Sequence, residues 1–345
     1  MRDFRILALA GATLLLSGCV SSMLAKQVVA PPNKSGIKPL FADSEILKRA
    51  PAAFSQTWTV RVGPPAARIA VATVEPGDYG FIYDLRMEYP DDKAPHIAHF
   101  NAFWRPAGEV VRASTPPRGT IVLLHGYLQT RDSVTPWAVR LAQAGFRCVL
   151  IDLRGHGQST GEHISFGAFE SRDLSQVLDD LAGRGWDVSR VGVLGVSYGA
   201  SVALLAAGRD PRIVTLVAME PFFSAEKAVP ELMRAAFAAE AKGISDRQFA
   251  KAHVREAKIA GFDWADADIP AALARTRAPV LFIHGEKDTW LSADHSRELE
   301  KIAPPGSELT LAPLDNHVSL PLQLEKFAPA VIDWFEKGLR LTHRD

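Results

Sequence analysis

Five short apolar runs, spaced along the chain from Arg118 onward, constrain the fold more than any other feature: TIVLLHG, RCVLIDLRG, RVGVLGVS, IVTLVAMEP and PVLFIHG. Each is rich in Val, Ile and Leu without polar alternation, the pattern of strands buried on both faces. The segments between them carry a helical period. Leu174, Val177, Leu178 and Leu181 fall at i, i+3, i+4 and i+7 and predict one buried helical stripe. Strands alternating with such helices imply a doubly wound, mostly parallel α/β sheet. Upstream, ARIAVATV and IAHFNAFW predict edge strands or a hairpin, and no internal repeat is present.

The alternation breaks between Glu220 and about Ala278. An alanine-rich stretch, VPELMRAAFAAEAKG, is followed by Ser245-Asp246-Arg247-Gln248, a capping box that opens another helix. A connection this long exceeds an ordinary crossover, so a helical lid is expected over about 221–278. Lysine plus arginine equal aspartate plus glutamate at 39 each. With no dense basic run, a nucleic-acid surface is excluded and a small-molecule partner is expected.

The stretch GVSYG places Ser197 between Gly195 and Gly199, at the junction of a predicted strand (RVGVLGV) and a predicted helix (YGASVALLAAG). Small residues on both sides let strand and helix approach while the serine projects above the sheet, the arrangement of a nucleophile elbow. A serine hydroxyl needs a positioned base, and the base needs a carboxylate that holds its tautomer. His317 follows the run ELTLAPLDNHVSL and Asp288 follows APVLFIHGEKD. Both stand beyond the carboxyl ends of strands, the edge where open α/β sheets place their sites. Glu220, at the end of TLVAME, and Asp315, two residues before the histidine, are alternatives to Asp288 as the acid. The amides of Tyr198 and Tyr127 are the expected oxyanion donors, with His125 orienting the Tyr127 loop. His96 and His99 form H-x-x-H in a predicted strand rather than a helix, so they would not share a face, and no metal or cofactor is expected.

Taken in order, LLHGY, DLRGHGQSTG, GVSYG, HGEKD and DNH resemble the serine α/β-hydrolase superfamily, most closely its monoacylglycerol-lipase and serine-aminopeptidase branch. The resemblance covers about Arg118 to Leu339. It implies the α/β-hydrolase fold with a helical cap and metal-independent hydrolysis through an acyl-enzyme. Ser197, Asp288 and His317 stand at the triad positions, and Asp152 to Gly161 form a rim loop. The expected substrate is a small-molecule acyl ester, with esterase or lysophospholipase-like activity. Phe222, Phe223, Leu232, Met233 and Phe237 in the lid suit an acyl chain or simple packing. Alternatives are an aminopeptidase-type peptidase, for which Glu226, Glu231 and Glu240 are available, a thioesterase, and a non-catalytic binding protein of the same fold.

At the N-terminus, Arg2 and Arg5 precede an apolar run from Ile6 to Leu16 that is too short to span a bilayer and reads as a signal peptide over 1–18. LLSGC resembles the bacterial lipoprotein lipobox, which implies lipidation at Cys19. With Val20 next, it also implies anchoring in the cell envelope, at the outer membrane facing the periplasm. Residues 19–67 then read as a tether and N-terminal extension, and 68–345 as the hydrolase domain. Cys148 is left as a buried small hydrophobe with no disulfide partner.

Overall fold

The computed structural model describes residues 17–35, 44–90 and 95–340. The expected signal sequence up to Leu16 lies outside them. An eight-stranded sheet forms the centre. Its strands are β1 (Gln56–Val62), β2 (Ala67–Val74), β3 (Thr120–Leu124), β4 (Arg147–Ile151), β5 (Val191–Val196), β6 (Ile213–Met219), β7 (Val280–Gly285) and β8 (Glu308–Ala312). The spatial order is β1-β2-β4-β3-β5-β6-β7-β8. β2 runs antiparallel to both neighbours, and β3 to β8 are mutually parallel.

The buried runs become central strands because each feeds two cores. Val122 and Leu124 face one apolar layer, while Ile121 and Leu123 face the other. The helices that cover these faces include α2 (Thr135–Gln143), α3 (Glu170–Gly183) and α4 (Tyr198–Ala207). Leu174, Val177, Leu178 and Leu181 of α3 are all fully buried, as their spacing predicts.

Between β6 and β7 the chain forms α5 (Ala225–Ala236), a short helix Ala238–Ala241, α6 (Asp246–Ala260) and a further short helix Ile269–Leu273. The capping box at the start of α6 is formed, with the Ser245 amide donating to Gln248 Oε1 at 2.9 Å. Beyond β7, α7 (Asp294–Glu300) and α8 (Leu324–Leu339) complete the layers.

The N-terminal half departs from the expectation in two respects. β1 begins at Gln56, so a domain boundary near residue 68 would cut the β1–β2 hairpin. ARIAVATV and IAHFNAFW are both hairpin strands, as read, but of different hairpins: the first pairs with β1 and enters the main sheet, and the second pairs with Ile82–Glu88 apart from it. The segment read as a tether is folded where it is described. Helix α1 (Ser17–Val28) packs against α6, burying Leu24, Ala25, Val28 and Val29 in the same core as the sheet. Arg255 of α6 donates to Ser21 Oγ, the Ile164 amide donates to Val29 O at 3.0 Å, and Asn33 Nδ2 donates to Ser159 O at 2.6 Å. A composition rich in Ala, Pro and Ser concealed this, because the apolar stripe of α1 is short and its partner lies more than 200 residues away. Among the described residues no helix is long and apolar enough to cross a membrane.

Leu24→Ala tests the packing of α1. It should cost about 2–4 kcal/mol in urea unfolding and open residues 20–35 to limited proteolysis; an unchanged midpoint and digestion pattern would mean that α1 is not docked.

Candidate active site

Ser197 follows β5 and caps α4 with φ 52° and ψ −112°, a positive-φ backbone conformation that a side-chain-bearing residue adopts only under constraint. Two close approaches impose it. A Cβ on Gly195 would lie 2.4 Å from Gly199 O, and one on Gly199 would lie 2.5 Å from Leu124 O and 2.6 Å from His125 O. Only glycine allows the start of α4 to sit on β5 and β3 at these distances. The Ser197 amide is anchored by donation to Met219 O at 2.7 Å, across to the end of β6.

His317 is carried by the turn after β8. Its Nε2 lies 2.9 Å from Ser197 Oγ, and its Nδ1 lies 2.6 Å from Asp288 Oδ2. Ionised Asp288 can only accept, so Nδ1 carries the proton and Nε2 is free to accept from the serine hydroxyl. Asp288 itself is fixed on both oxygens. Oδ1 accepts from the amides of Trp290 (2.8 Å) and Leu291 (2.9 Å), and Oδ2 also faces His284 Nε2 at 3.3 Å. Burial alone would raise the Asp288 carboxyl. The charge interaction with His317 and the hydrogen bonds from His284, His317 and Leu291 outweigh it and hold the group well below the usual carboxylate range.

The loops carrying Asp288 and His317 are joined, since the Lys287 amide donates to Asp315 O at 3.0 Å. Asp315 is spoken for: its carboxylate accepts from Tyr89 Oη (3.1 Å), Ser319 Oγ (3.1 Å), Gln323 Nε2 (3.0 Å) and Lys326 Nζ (2.9 Å). It braces the His317 turn against α8 and the hairpin rather than contacting the imidazole. Glu220, the other alternative acid, is fully buried, and its Oε2 lies 3.6 Å from His317 Nδ1. Hydrogen-bond distance thus singles out Asp288 as the partner of His317.

The loop after β3 approaches from the opposite side. A Cβ on Gly126 would stand 3.6 Å from Ser197 Cβ, so the loop at Gly126 lies against the serine. His125 is fully buried, with Nδ1 2.8 Å from Gly126 O and Nε2 3.0 Å from the Leu153 amide. Nδ1 therefore donates and Nε2 accepts, which defines a neutral ring. Burial pushes it down to about 4 against the opposing pull of the Gly126 hydrogen bond. The Gly126 amide is taken by Gln129 Oε1 at 3.1 Å, and the amide that follows it is that of Tyr127. Tyr198, next to the serine, is pinned by its hydroxyl, which donates to Glu170 Oε1 at 3.0 Å. Glu170 also accepts from the Ser165 amide (2.9 Å) and hydroxyl (2.5 Å) and from the Gly167 amide (2.9 Å).

Three contributors to this geometry were not named from the sequence: His284 behind Asp288, Glu170 behind Tyr198, and Trp290, whose ring lies 5.2 Å from that of His317 at 33°. His284 was within reach of inspection, as the histidine of the HGEKD motif. The rim loop Asp152–Gly161 is structural in its buried part, where Arg154 makes a two-point ion pair with Asp173 at 2.7 and 2.8 Å. Cys148 is buried. His96 and His99 lie on an exposed hairpin strand and pair with Glu88 (2.9 Å) and Asp84 (3.2 Å).

Among the described residues, Glu220, Asp288 and His317 form the one trio of metal-type side chains with ligand atoms within 4.8 Å of one another. The 2.6 Å separation of His317 Nδ1 and Asp288 Oδ2 is a hydrogen-bond distance. Two ligands of one tetrahedral ion would stand about 3.3 Å apart, so these residues do not fit a metal centre.

The strand order, the elbow and the placement of Ser197, Asp288 and His317 after β5, β7 and β8 define the α/β-hydrolase fold. A family model described as "Serine aminopeptidase, S33" matches residues 115–261. A monoacylglycerol lipase from Mycolicibacterium smegmatis is 27% identical over 238 residues, covering 59% of this chain and 83% of the relative. The uncharacterized protein YqkD of Bacillus subtilis is 25% identical over 182 residues, covering 52% of this chain and 58% of that protein. Among solved structures, the esterase Pf2001 of Pyrococcus furiosus superposes with a TM-score of 0.58 at 18% identity, covering 91% of this chain and 99% of that one.

Gly199→Ala tests the elbow. The added methyl meets backbone oxygens that cannot withdraw, so the variant should lose about 1–3 kcal/mol of stability in urea unfolding. A variant as stable as the parent would show that the β5–α4 approach is not the constraint described.

Proposed function

We propose that the protein is a serine hydrolase of carboxylic esters acting through an acyl-enzyme. The observation that carries this reading is the unbroken hydrogen-bonded chain Asp288–His317–Ser197 at a strained elbow. Ser197 Oγ attacks the acyl carbonyl as its proton passes to His317 Nε2, and Asp288 stabilises the imidazolium that forms. The carbonyl oxygen becomes an oxyanion received by the amides of Tyr127 and Tyr198. When the carbonyl reforms, the ester C–O bond breaks and His317 returns the proton to the departing alcohol. Water then attacks the acyl-serine, losing its proton to His317, and the acid and free Ser197 are regenerated.

An ester is favoured as substrate because the relatives named above are a lipase and an esterase. The aminopeptidase alternative draws on the description of the matching family model. An amine-binding lid would need acidic groups free to receive a cation. Glu231 instead faces His295 Nε2 at 3.2 Å and accepts from the Ser292 amide at 3.3 Å, which ties α5 to the body of the protein. A groove beside this contact is lined by Glu231, Arg234, Ala235, Asp288, Thr289 and Ser292; it offers the substrate an approach along the lid edge.

The same proposal includes lipidation of Cys19 and attachment to the bacterial cell envelope. Cys19 falls in the first turn of α1, which packs on α6, so an anchor there would hold the lid side of the molecule close to the membrane.

Ser197→Ala and His317→Ala should each lower ester turnover by about 10⁴-fold or more while leaving the protein folded. Ser197→Ala should also abolish covalent labelling by a fluorophosphonate probe. Ester hydrolysis undiminished in a folded Ser197→Ala protein would overturn the mechanism.

Cys19→Ala should lose metabolic incorporation of an alkyne fatty acid and leave the membrane fraction. Retention of both properties would place the anchor elsewhere.

A further inference from the structure

Glu220 occupies a position that the mechanism above does not use. It follows β6 at φ 53°, an uncommon backbone conformation for a residue with a side chain. It is fully buried, and neither carboxyl oxygen has a hydrogen-bond partner. One of those oxygens lies 3.6 Å from the His317 nitrogen that Asp288 engages at 2.6 Å. A buried, unpartnered carboxylate beside a second carboxylate is far too costly to keep ionised. Burial first, and then the charges of Asp288 and Asp315, push the Glu220 carboxyl well above its ordinary range. Like charges at this spacing cannot both ionise readily, so the pair carries one negative charge, and Asp288, with its four polar contacts, holds it.

Resting on the triad reading above, we propose that Glu220 is a second acid for His317, kept as the neutral carboxylic acid while Asp288 is charged and able to ionise and hold Nδ1–H when that charge is lost. In the native protein it is a positioning residue. Its carboxyl lies beside the same nitrogen that Asp288 engages and, being neutral, leaves Asp288 the stronger acceptor. When the charge at position 288 is removed, the repulsion that kept Glu220 neutral falls. Its proton then passes to solvent, and its carboxylate faces the imidazole across a gap that a small side-chain movement closes. Ser197 still gives its proton to Nε2 and recovers it as before, with Glu220 in place of Asp288 as the countercharge. The groups that face Glu220 are His317, Asp288 and Asp315, with His284 behind Asp288.

The test is a double-mutant cycle read by the rate of fluorophosphonate labelling. Asp288→Ser removes the charge while keeping a hydroxyl acceptor for the Trp290 and Leu291 amides, and Asp288→Ala is the second background. The expected result is that Glu220→Gln slows labelling by about tenfold or more in either Asp288 variant and by clearly less in the native background. In Asp288→Ser, residual labelling should rise with pH as Glu220 loses its proton, and Glu220→Gln should remove that rise. Equal slowing by Glu220→Gln in both backgrounds, with no change in the pH profile, would overturn the proposal.

Infrared spectroscopy of the unsubstituted protein gives an independent reading should the Asp288 variants fail to fold. A protonated-carboxyl band at neutral pH should disappear in Glu220→Gln, and its absence from the parent protein would equally overturn the proposal. Failure of the parent protein to label at Ser197 would instead count against the triad reading and leave the carboxyl band to be judged separately.

Discussion

The contact between the end of β5 and the first turn of α4 is the constraint on which the rest of the site depends. A backbone held at φ 52° costs on the order of 1–3 kcal/mol, and it persists because the surrounding structure leaves no alternative. β5 lies between β3 and β6 with both faces buried. The wholly buried helix α4 presses Gly195 and Gly199 onto neighbouring backbone, and the Ser197 amide is tied to Met219 O. Relaxing the serine would lift α4 from the sheet and expose apolar side chains such as Val202, Leu204 and Leu205, each worth about 1.5–3 kcal/mol when buried. Core burial therefore exceeds the local strain several-fold, and Ser197 Oγ is presented at a fixed height above the sheet edge.

How far this was legible in the sequence follows from the same physics. Strands buried on both faces must be continuously apolar, so β3 to β7 could be read directly, and the residues after their carboxyl ends named the site. β8 was less apolar because it is an edge strand with an exposed alternate face, yet its following loop still gave His317. Partners defined by three-dimensional approach left no local trace. Nothing in the sequence spacing places His284 behind Asp288, or the Tyr89 hydroxyl 226 residues away against Asp315. The α1 stripe of Leu24, Ala25 and Val28 is shorter than the window over which a helical period becomes distinct. Its neighbour α6 shows only Phe249, Ala252 and Glu256 on its buried face.

The polar groups beneath the site divide by whether the fold supplies partners for their charge. Glu170 is fully buried and accepts four hydrogen bonds, while Asp288 accepts two amides and faces two imidazoles. Such hydrogen bonds replace those to water that a buried carboxyl group loses. Glu220 receives no equivalent set, and His125 and His156 are pushed down to about 4 and about 3 by burial. Asp288 is thus the charged partner fixed against His317, and Glu220 beside it is driven toward neutrality. A single countercharge held at Nδ1 keeps the proton on that nitrogen and leaves Nε2 to accept from the serine hydroxyl.

The helical segment between β6 and β7 is held unequally along its length, and the magnitudes decide which half is the looser. Its ion pairs are mostly half-exposed, among them Lys227–Glu298, Arg172–Asp266 and Arg209–Asp266, and pairs of this kind contribute about 0–1 kcal/mol each. Apolar burial outweighs them. α6 seats Phe249 and Ala252 in the main core and is flanked by α1, with Leu24 and Val28 beside it. α5 buries only Ala225 and Ala228, carries Pro230 in its interior, and reaches the body through Glu231 at His295 and Ser292. α6 is therefore the firmly packed half and α5 the more lightly held one. The lightly held edge of α5 lies beside the loop of Asp288, Thr289 and Ser292, across the groove that these residues line with Glu231 and Arg234.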